Sequence, residues 1–295
     1  EQRENIMAIN DLPIVGDSFA LGYRFQRYWD TPMANAFFFG ELGAGLFFVS
    51  LLLGSAQGML AGLLITGLLK TYFHLSHMGV PKRSWRAIMR PDRSWVSRGL
   101  LGIVGLMGFG GATVLIAWTG ILAPDSLLVL LLKFAAGAAA LVVMTYQGLA
   151  MSHSTAIAFW NTGLMPVASL AYAMTGGVML LLAAVPESAQ SLLPVALLLH
   201  LCIAAILLSM LHAARHGSPG ARKSAELLTR TTYAKWFLVL VCGAGVLLPV
   251  LLLWLAGSVP TVALTAAAGT LAGYYTFRLL VFKAGVYEPI MSFRP

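Results

Sequence analysis

The chain has too little charge to be a water-soluble protein. Asp, Glu, Lys and Arg make up 10% of its 295 residues, against about 25% in soluble domains. Cysteine is scarcer still. Cys202 and Cys242 both sit in apolar stretches without CxxC or Cys/His spacing, which excludes a disulfide scaffold and a cysteine-held metal centre. Any iron–sulfur cluster is therefore expected on another chain. A removable signal sequence is not expected either. The first thirty residues are polar, with Arg3, Glu4, Asp11, Asp17, Arg24, Arg27 and Asp30, so insertion is expected to come from internal helices.

Apolar residues are what the chain has in abundance: 59% of the total and a mean hydropathy of +0.82. A membrane-spanning helix needs about 20 such residues. Suitable runs lie at 32–54, 57–77, 99–121, 127–148, 164–184, 191–213, 236–257 and 260–282. The expected fold is therefore all-α and integral to the membrane, with eight transmembrane helices in two four-helix bundles. A polar segment at 1–31 precedes a membrane domain at 32–283, with halves at 32–148 and 164–283 and a tail at 284–295.

Eight spans put both termini and the loops at 78–98, 149–163 and 214–235 on one surface, called side A. Two of these loops are basic. One carries Lys82, Arg83, Arg86, Arg90, Arg93 and Arg98; the other carries Arg215, Arg222, Lys223, Arg230 and Lys235. The opposite loops contribute Asp125 and Glu187 but no basic residue. That asymmetry places side A in the cytoplasm. The formal charge of +8 is thereby explained by topology, not by nucleic acid.

Ionisable residues at membrane depth are costly and mark candidate functional positions. Glu41 lies roughly 13 Å into the first helix, and Lys133 roughly 9 Å into the fourth from the other side, at 1.5 Å per residue. The pair could form a proton path, or simply a buried ion pair. Lys70 and Arg278 lie nearer side A and are expected to snorkel to it. His200 is expected to be a hydrogen-bonded interior histidine. His74 with His212 is the one pair whose depths would suit a bis-histidine haem. Gly40, Gly43, Ala44 and Gly45 predict close helix packing. Trp29, Trp85, Trp95, Trp160 and Trp236, with Tyr28, predict an aromatic belt at side A. Asn35, His77, Tyr146 and His153 gather polar groups near that surface. Such groups could serve a quinone head or simply line the interface.

Three segments resemble the NrfD-like membrane subunits, the family that includes the anchors of polysulfide reductase and dimethyl sulfoxide reductase-type complexes. They are HMGVPKRSWRA at 77–87 with SWVSRG at 94–99, NAFFFGELGAG at 35–45, and YQG at 146–148 with FWN at 159–161 and Pro166. The resemblance implies an anchor for an iron–sulfur subunit and a molybdopterin catalytic subunit. Such an anchor exchanges electrons with ubiquinone or menaquinone and holds no haem or cluster itself. It also implies quinone contacts from Asn35, Tyr146 and His77. Phe38 stands where polysulfide reductase has a pocket histidine, so His77 or His153 becomes the expected proton-exchanging, catalytic group.

The combined expectation is a multi-pass subunit of a bacterial inner membrane. Its partners are cytoplasmic, docked on Lys82, Arg83, Arg86 and Arg98, and the chain carries the quinone oxidoreduction site and reduces quinone. The alternatives are a proton-coupled transporter or channel and a haem b subunit.

Overall fold

A computed structural model describes residues 23–185, 189–257 and 259–288. The polar segment before residue 23, Glu187 and the tail beyond 288 lie outside them. Seven helices are long and apolar enough to cross a membrane. They are α1 (Thr31–Leu53), α2 (Ala56–His77), α3 (Trp95–Thr119), α4 (Leu127–Ser152), α5 (Leu164–Ala184), α6 (Ala189–Arg215) and, after a short amphipathic α7 (Pro219–Arg230), α8 (Thr232–Ala256). A further helix, α9 (Pro260–Lys283), packs into the same assembly. Its content of Thr, Gly, Tyr and Arg makes it less apolar than the others. The chain is a multi-pass membrane protein. Large apolar side chains such as Leu68, Tyr72, Leu131, Phe134 and Trp254 stand on its outer surface, as a lipid-facing wall requires, while polar side chains turn inward.

The helix starts are written locally. Asp30, Ser55, Ser94, Ser126 and Ser218 each accept a hydrogen bond from the backbone N–H three residues on, satisfying a donor that the first turn leaves free. Gly54 closes α1 with φ 70°, a left-handed conformation that glycine adopts without strain. The turn to α2 is correspondingly tight.

Helices α1 and α5 form the centre, and glycine decides how closely they approach. A Cβ on Gly45 would lie 1.9 Å from the Ala173 carbonyl oxygen. One on Gly177 would lie 2.5 Å from the Gly45 oxygen. A Cβ on Gly43 would meet Thr66 on α2 at 2.4 Å. The small-residue run in α1 is thus a packing surface on two sides, as expected of such runs.

Side A is knitted by a two-residue antiparallel strap. Strand β1 (Arg24–Phe25) pairs with β2 (Val286–Tyr287), which joins the two ends of the described chain. Trp29 and Trp160, expected in the aromatic belt, instead pack with Phe37 and Phe282 beneath this strap. Trp160 donates its indole N–H to the Val281 carbonyl at 2.9 Å. Trp85 and Trp236 are exposed, as a belt requires.

Seven of the eight runs read from hydropathy coincide with helices long and apolar enough to span a membrane. The eighth, at 260–282, is helical but less apolar, and two kinds of correction apply to the rest. Helix α3 begins at Trp95 and α4 continues to Ser152. The loops at 78–98 and 214–235 are not irregular. They contain a 3-10 helix at Pro81–Met89 and α7, both strongly amphipathic and too polar to register as spans.

Candidate functional site

Near side A, the ends of α2 and α3 separate and leave a crevice of about 380 Å³. The 3-10 helix Pro81–Met89 roofs it with Ser84, Trp85, Ala87 and Ile88. Ser97 Oγ donates to the Ala87 carbonyl and so ties the roof to α3. Helix α3 contributes a dry wall, including Leu100, Ile103 and Val104. Thr71, Leu75, Val96 and Val104 line the crevice and are also exposed on the outer surface, so its mouth opens toward lipid. Its lining includes the ionisable residues Lys70, His74 and Tyr146 and the hydroxyl residues Thr71 and Ser84. An apolar slot with a few convergent polar groups is the usual form of a small-molecule site.

Lys70 is the group sequence reasoning missed. It was expected to snorkel to side A, but only 2% of it is exposed. Counting residues from the helix end gives a depth, about 10 Å below His77 at 1.5 Å per residue, but no facing. The facing is set by a π-helical stretch at Ile65–Lys70, which shifts the phase of α2 as such insertions do at functional positions. Thr66 and Lys70 consequently point inward. Gly40 on α1 makes the necessary room, because a Cβ there would meet Lys70 Cδ at 3.0 Å. Gly99 on α3 does the same for the Tyr146 ring, which its Cβ would strike at 2.1 Å.

From the crevice a hydrogen-bonded chain runs to the bundle centre. Lys70 Nζ donates to the Tyr146 hydroxyl at 2.8 Å. Gln147 satisfies both ends of its amide in one orientation. Its nitrogen then donates to Glu41 Oε1 at 3.0 Å and to the Phe37 carbonyl at 3.1 Å, and its oxygen accepts from Tyr146 at 3.3 Å. Glu41 Oε2 accepts from Tyr274 at 2.5 Å and pairs with Arg278 Nη2 at 2.5 Å. Arg278 also donates to Ser169 at 3.0 Å. Glu41 and Arg278 are both fully buried.

This corrects two expectations. Glu41 is paired with Arg278, not Lys133, which lies on the far side with Nζ 3.3 Å from the Pro124 carbonyl. Arg278 does not snorkel. It turns inward because a buried carboxylate without a cation would cost more than the arginine's own desolvation.

The other expected site residues stand outside the crevice lining. His77 Nδ1 is 2.9 Å from Asp30 Oδ1, joining the end of α2 to the cap of α1. His153 accepts from the Trp95 indole at 3.3 Å, joining the end of α4 to the start of α3. Asn35 Oδ1 accepts from Tyr275 on α9 at 2.8 Å. Of the basic loop residues, Arg98 is committed internally. It donates to the Pro91 and Asp92 carbonyls at 2.7 and 3.1 Å and stacks over Trp95. Lys82, Arg83 and Arg86 lie on the roof helix. His200 is interior and bonded to Thr270 at 2.9 Å. The His212 ring lies against that of His216, one turn along the same stretch of chain, with centroids 4.5 Å apart and planes tilted by 52°. Among the described residues no group of three or more His, Cys, Asp or Glu is arranged to hold a metal ion.

Comparison with known proteins gives one positive result. No curated protein matches the chain. The model of the family described as "Polysulphide reductase, NrfD" matches residues 22–289, from before the strap's first strand to just past its second. The helices, the crevice and the polar chain all fall within that match, and the protein belongs to the NrfD family, the membrane subunits of polysulphide reductase-type complexes.

Proposed function

We propose that this chain is the quinone-reactive anchor of a multisubunit oxidoreductase, and that the crevice between α2 and α3 receives the quinone. One observation carries this reading above the others: the apolar crevice lies directly beneath a helix that turns Lys82, Arg83 and Arg86 outward. A partner seated on those cations would bring an iron–sulfur cluster close above the slot, and electron tunnelling needs such proximity. The crevice offers polar groups at its inner end and an opening to lipid for the isoprenoid tail.

The complex would then contain an iron–sulfur subunit and a molybdopterin catalytic subunit. They would be gripped by charged hydrogen bonds from the roof helix. We take α9 as the eighth span. The β1–β2 strap holds the two described ends at one surface, which an even number of crossings requires. The basic excess on that surface supports a cytoplasmic placement. Cytoplasmic partners suit oxidation of a cytoplasmic substrate and reduction of quinone in a bacterial inner membrane. Glu41 serves this site by orienting Gln147, and His77 and His153 by fastening helix ends around it. A proton-coupled transporter or channel and a haem b subunit have no comparable geometric support.

The test is photoaffinity labelling of the membrane-bound complex with an azido-quinone. Label is expected in peptides covering 70–78, 81–89 and 96–104, and excess unmodified quinone should prevent it. Label confined to α5–α9 or to the 120–126 loop would overturn the assignment.

A further inference from the structure

Tyrosine is the obvious hydrogen-bond donor to a quinone carbonyl in this crevice, but its proton is already committed. Gln147 faces two groups that can only accept: the Glu41 carboxylate and the Phe37 carbonyl. Both amide N–H groups are therefore used there, and only the amide oxygen is turned to Tyr146. A phenol has one O–H, and that O–H goes to Gln147. On its other side Tyr146 accepts from Lys70. The ion pair at the bundle centre thus sets the direction of the whole chain, with every donor pointing from Lys70 toward Glu41.

Lys70 is placed differently. An ammonium has three donors and no acceptor, and one donor goes to Tyr146. The side chain lines the crevice, and among the described residues no carboxylate lies within ion-pair distance of it. One turn further along α2 is His74, which also lines the crevice and whose Nδ1 is buried without a hydrogen-bond partner. The two residues are separated by about 6 Å along the helix axis. That spacing is comparable to the distance between the two carbonyl oxygens across a quinone ring.

We propose that Lys70, not Tyr146, hydrogen-bonds and protonates the quinone head, and that His74 holds the opposite carbonyl. The proposal rests on the crevice being the quinone site. The reaction takes two electrons from the partner's iron–sulfur cluster and two protons. As negative charge develops on the near oxygen, the Lys70 ammonium stabilises it and transfers one proton. The neutral amine then regains a proton from side-A water. His74 holds the far oxygen through a ring nitrogen, and the second proton reaches that oxygen from side-A water. Tyr146 is a positioning residue that holds the lysine's remaining donors toward the slot.

The experiment compares Lys70→Ala and Tyr146→Phe in the intact membrane-bound complex, with quinone and with a soluble acceptor. A lost proton donor costs on the order of 10²–10⁴-fold. Lys70→Ala is expected to lower quinone turnover at least 100-fold with soluble-acceptor activity kept. Added n-butylamine should restore part of the turnover in proportion to its concentration. Tyr146→Phe is expected to lose roughly tenfold through misplacement. Lys70→Arg keeps the charge and packing if Lys70→Ala fails to accumulate, and it should shift the pH profile of quinone turnover. Tyr146→Phe falling further than Lys70→Ala would overturn the proposal. So would Lys70→Ala turning over quinone within threefold of the unaltered complex. Azido-quinone labelling of Lys70→Ala separates the two readings, since retained label in the crevice with full turnover defeats the lysine and leaves the site.

Discussion

Lys70 and Arg278 are both buried cations on the inner faces of helices, and they are held in opposite ways. Arg278 is enclosed, with Glu41 at 2.5 Å, Ser169 at 3.0 Å and the Tyr172, Tyr274 and Phe277 rings around it. Its charge is cancelled where it sits. Lys70 meets a phenol and lines an open slot, and among the described residues no carboxylate pairs with it. The same kind of side chain, roughly a turn or two from the same surface, is structural in one place and chemical in the other. The carboxylate makes the difference.

That contrast can be broken by stability measurements first. Arg278→Met leaves Glu41 buried and unpaired, which costs about 3–5 kcal/mol. Reduced accumulation in membranes and a lower melting temperature in detergent are expected. Lys70→Met removes a charge that no carboxylate neutralises and one hydrogen bond to Tyr146, and a smaller loss of about 1–3 kcal/mol is expected. Equal losses in the two variants would erase the distinction. The double variant Glu41→Gln with Arg278→Met should recover part of the single-variant loss, a coupling of about 0.5–3 kcal/mol in a double-mutant cycle.

Smaller effects sharpen the description of the crevice. Gly99→Ala drives a methyl into the Tyr146 ring, and quinone turnover is expected to fall on the order of tenfold as the ring and Lys70 shift. Steady-state kinetics with quinone and with a soluble acceptor would separate that from misfolding. Arg83→Gln with Arg86→Gln is expected to release the soluble partners at lower salt than normal, read by washing membranes across a salt series. Arg98→Gln should move that release point less, because its guanidinium already serves the Pro91 and Asp92 carbonyls. The smallest effect is expected for Lys133→Gln on the far side, within about 0.5 kcal/mol in thermal unfolding.

How legible this was in the sequence depends on which physical quantity each residue reports. Hydropathy is a property of the chain itself, so seven spans were readable, and α9 was readable as a helix. The glycine run in α1 was readable for the same reason: small residues permit contact whatever the partner. Facing is another matter. Depth counted from a helix end suggested that Lys70 and Arg278 would snorkel and that Glu41 would find Lys133. A π-helical stretch in α2 and the depth of α9 against α1 decided otherwise, and both depend on packing across the bundle. Tyr146 stands out in the sequence by its place near side A and by the family resemblance, but the direction of its hydrogen bond depends on Gln147 and Glu41 together. The roof helix and α7 were hidden inside loops because their polar faces dilute any hydropathy signal.

The account stands on a quinone occupying the slot beneath the basic roof, and the most direct measurement is a cryo-electron-microscopy structure of the whole complex with a tight quinol-analogue inhibitor. Density for the inhibitor head is expected between Lys70 and His74, under Trp85, with its tail leaving past Val96 and Val104. Inhibitor density at the opposite membrane surface, or among α5–α9 with the crevice left closed, would contradict it.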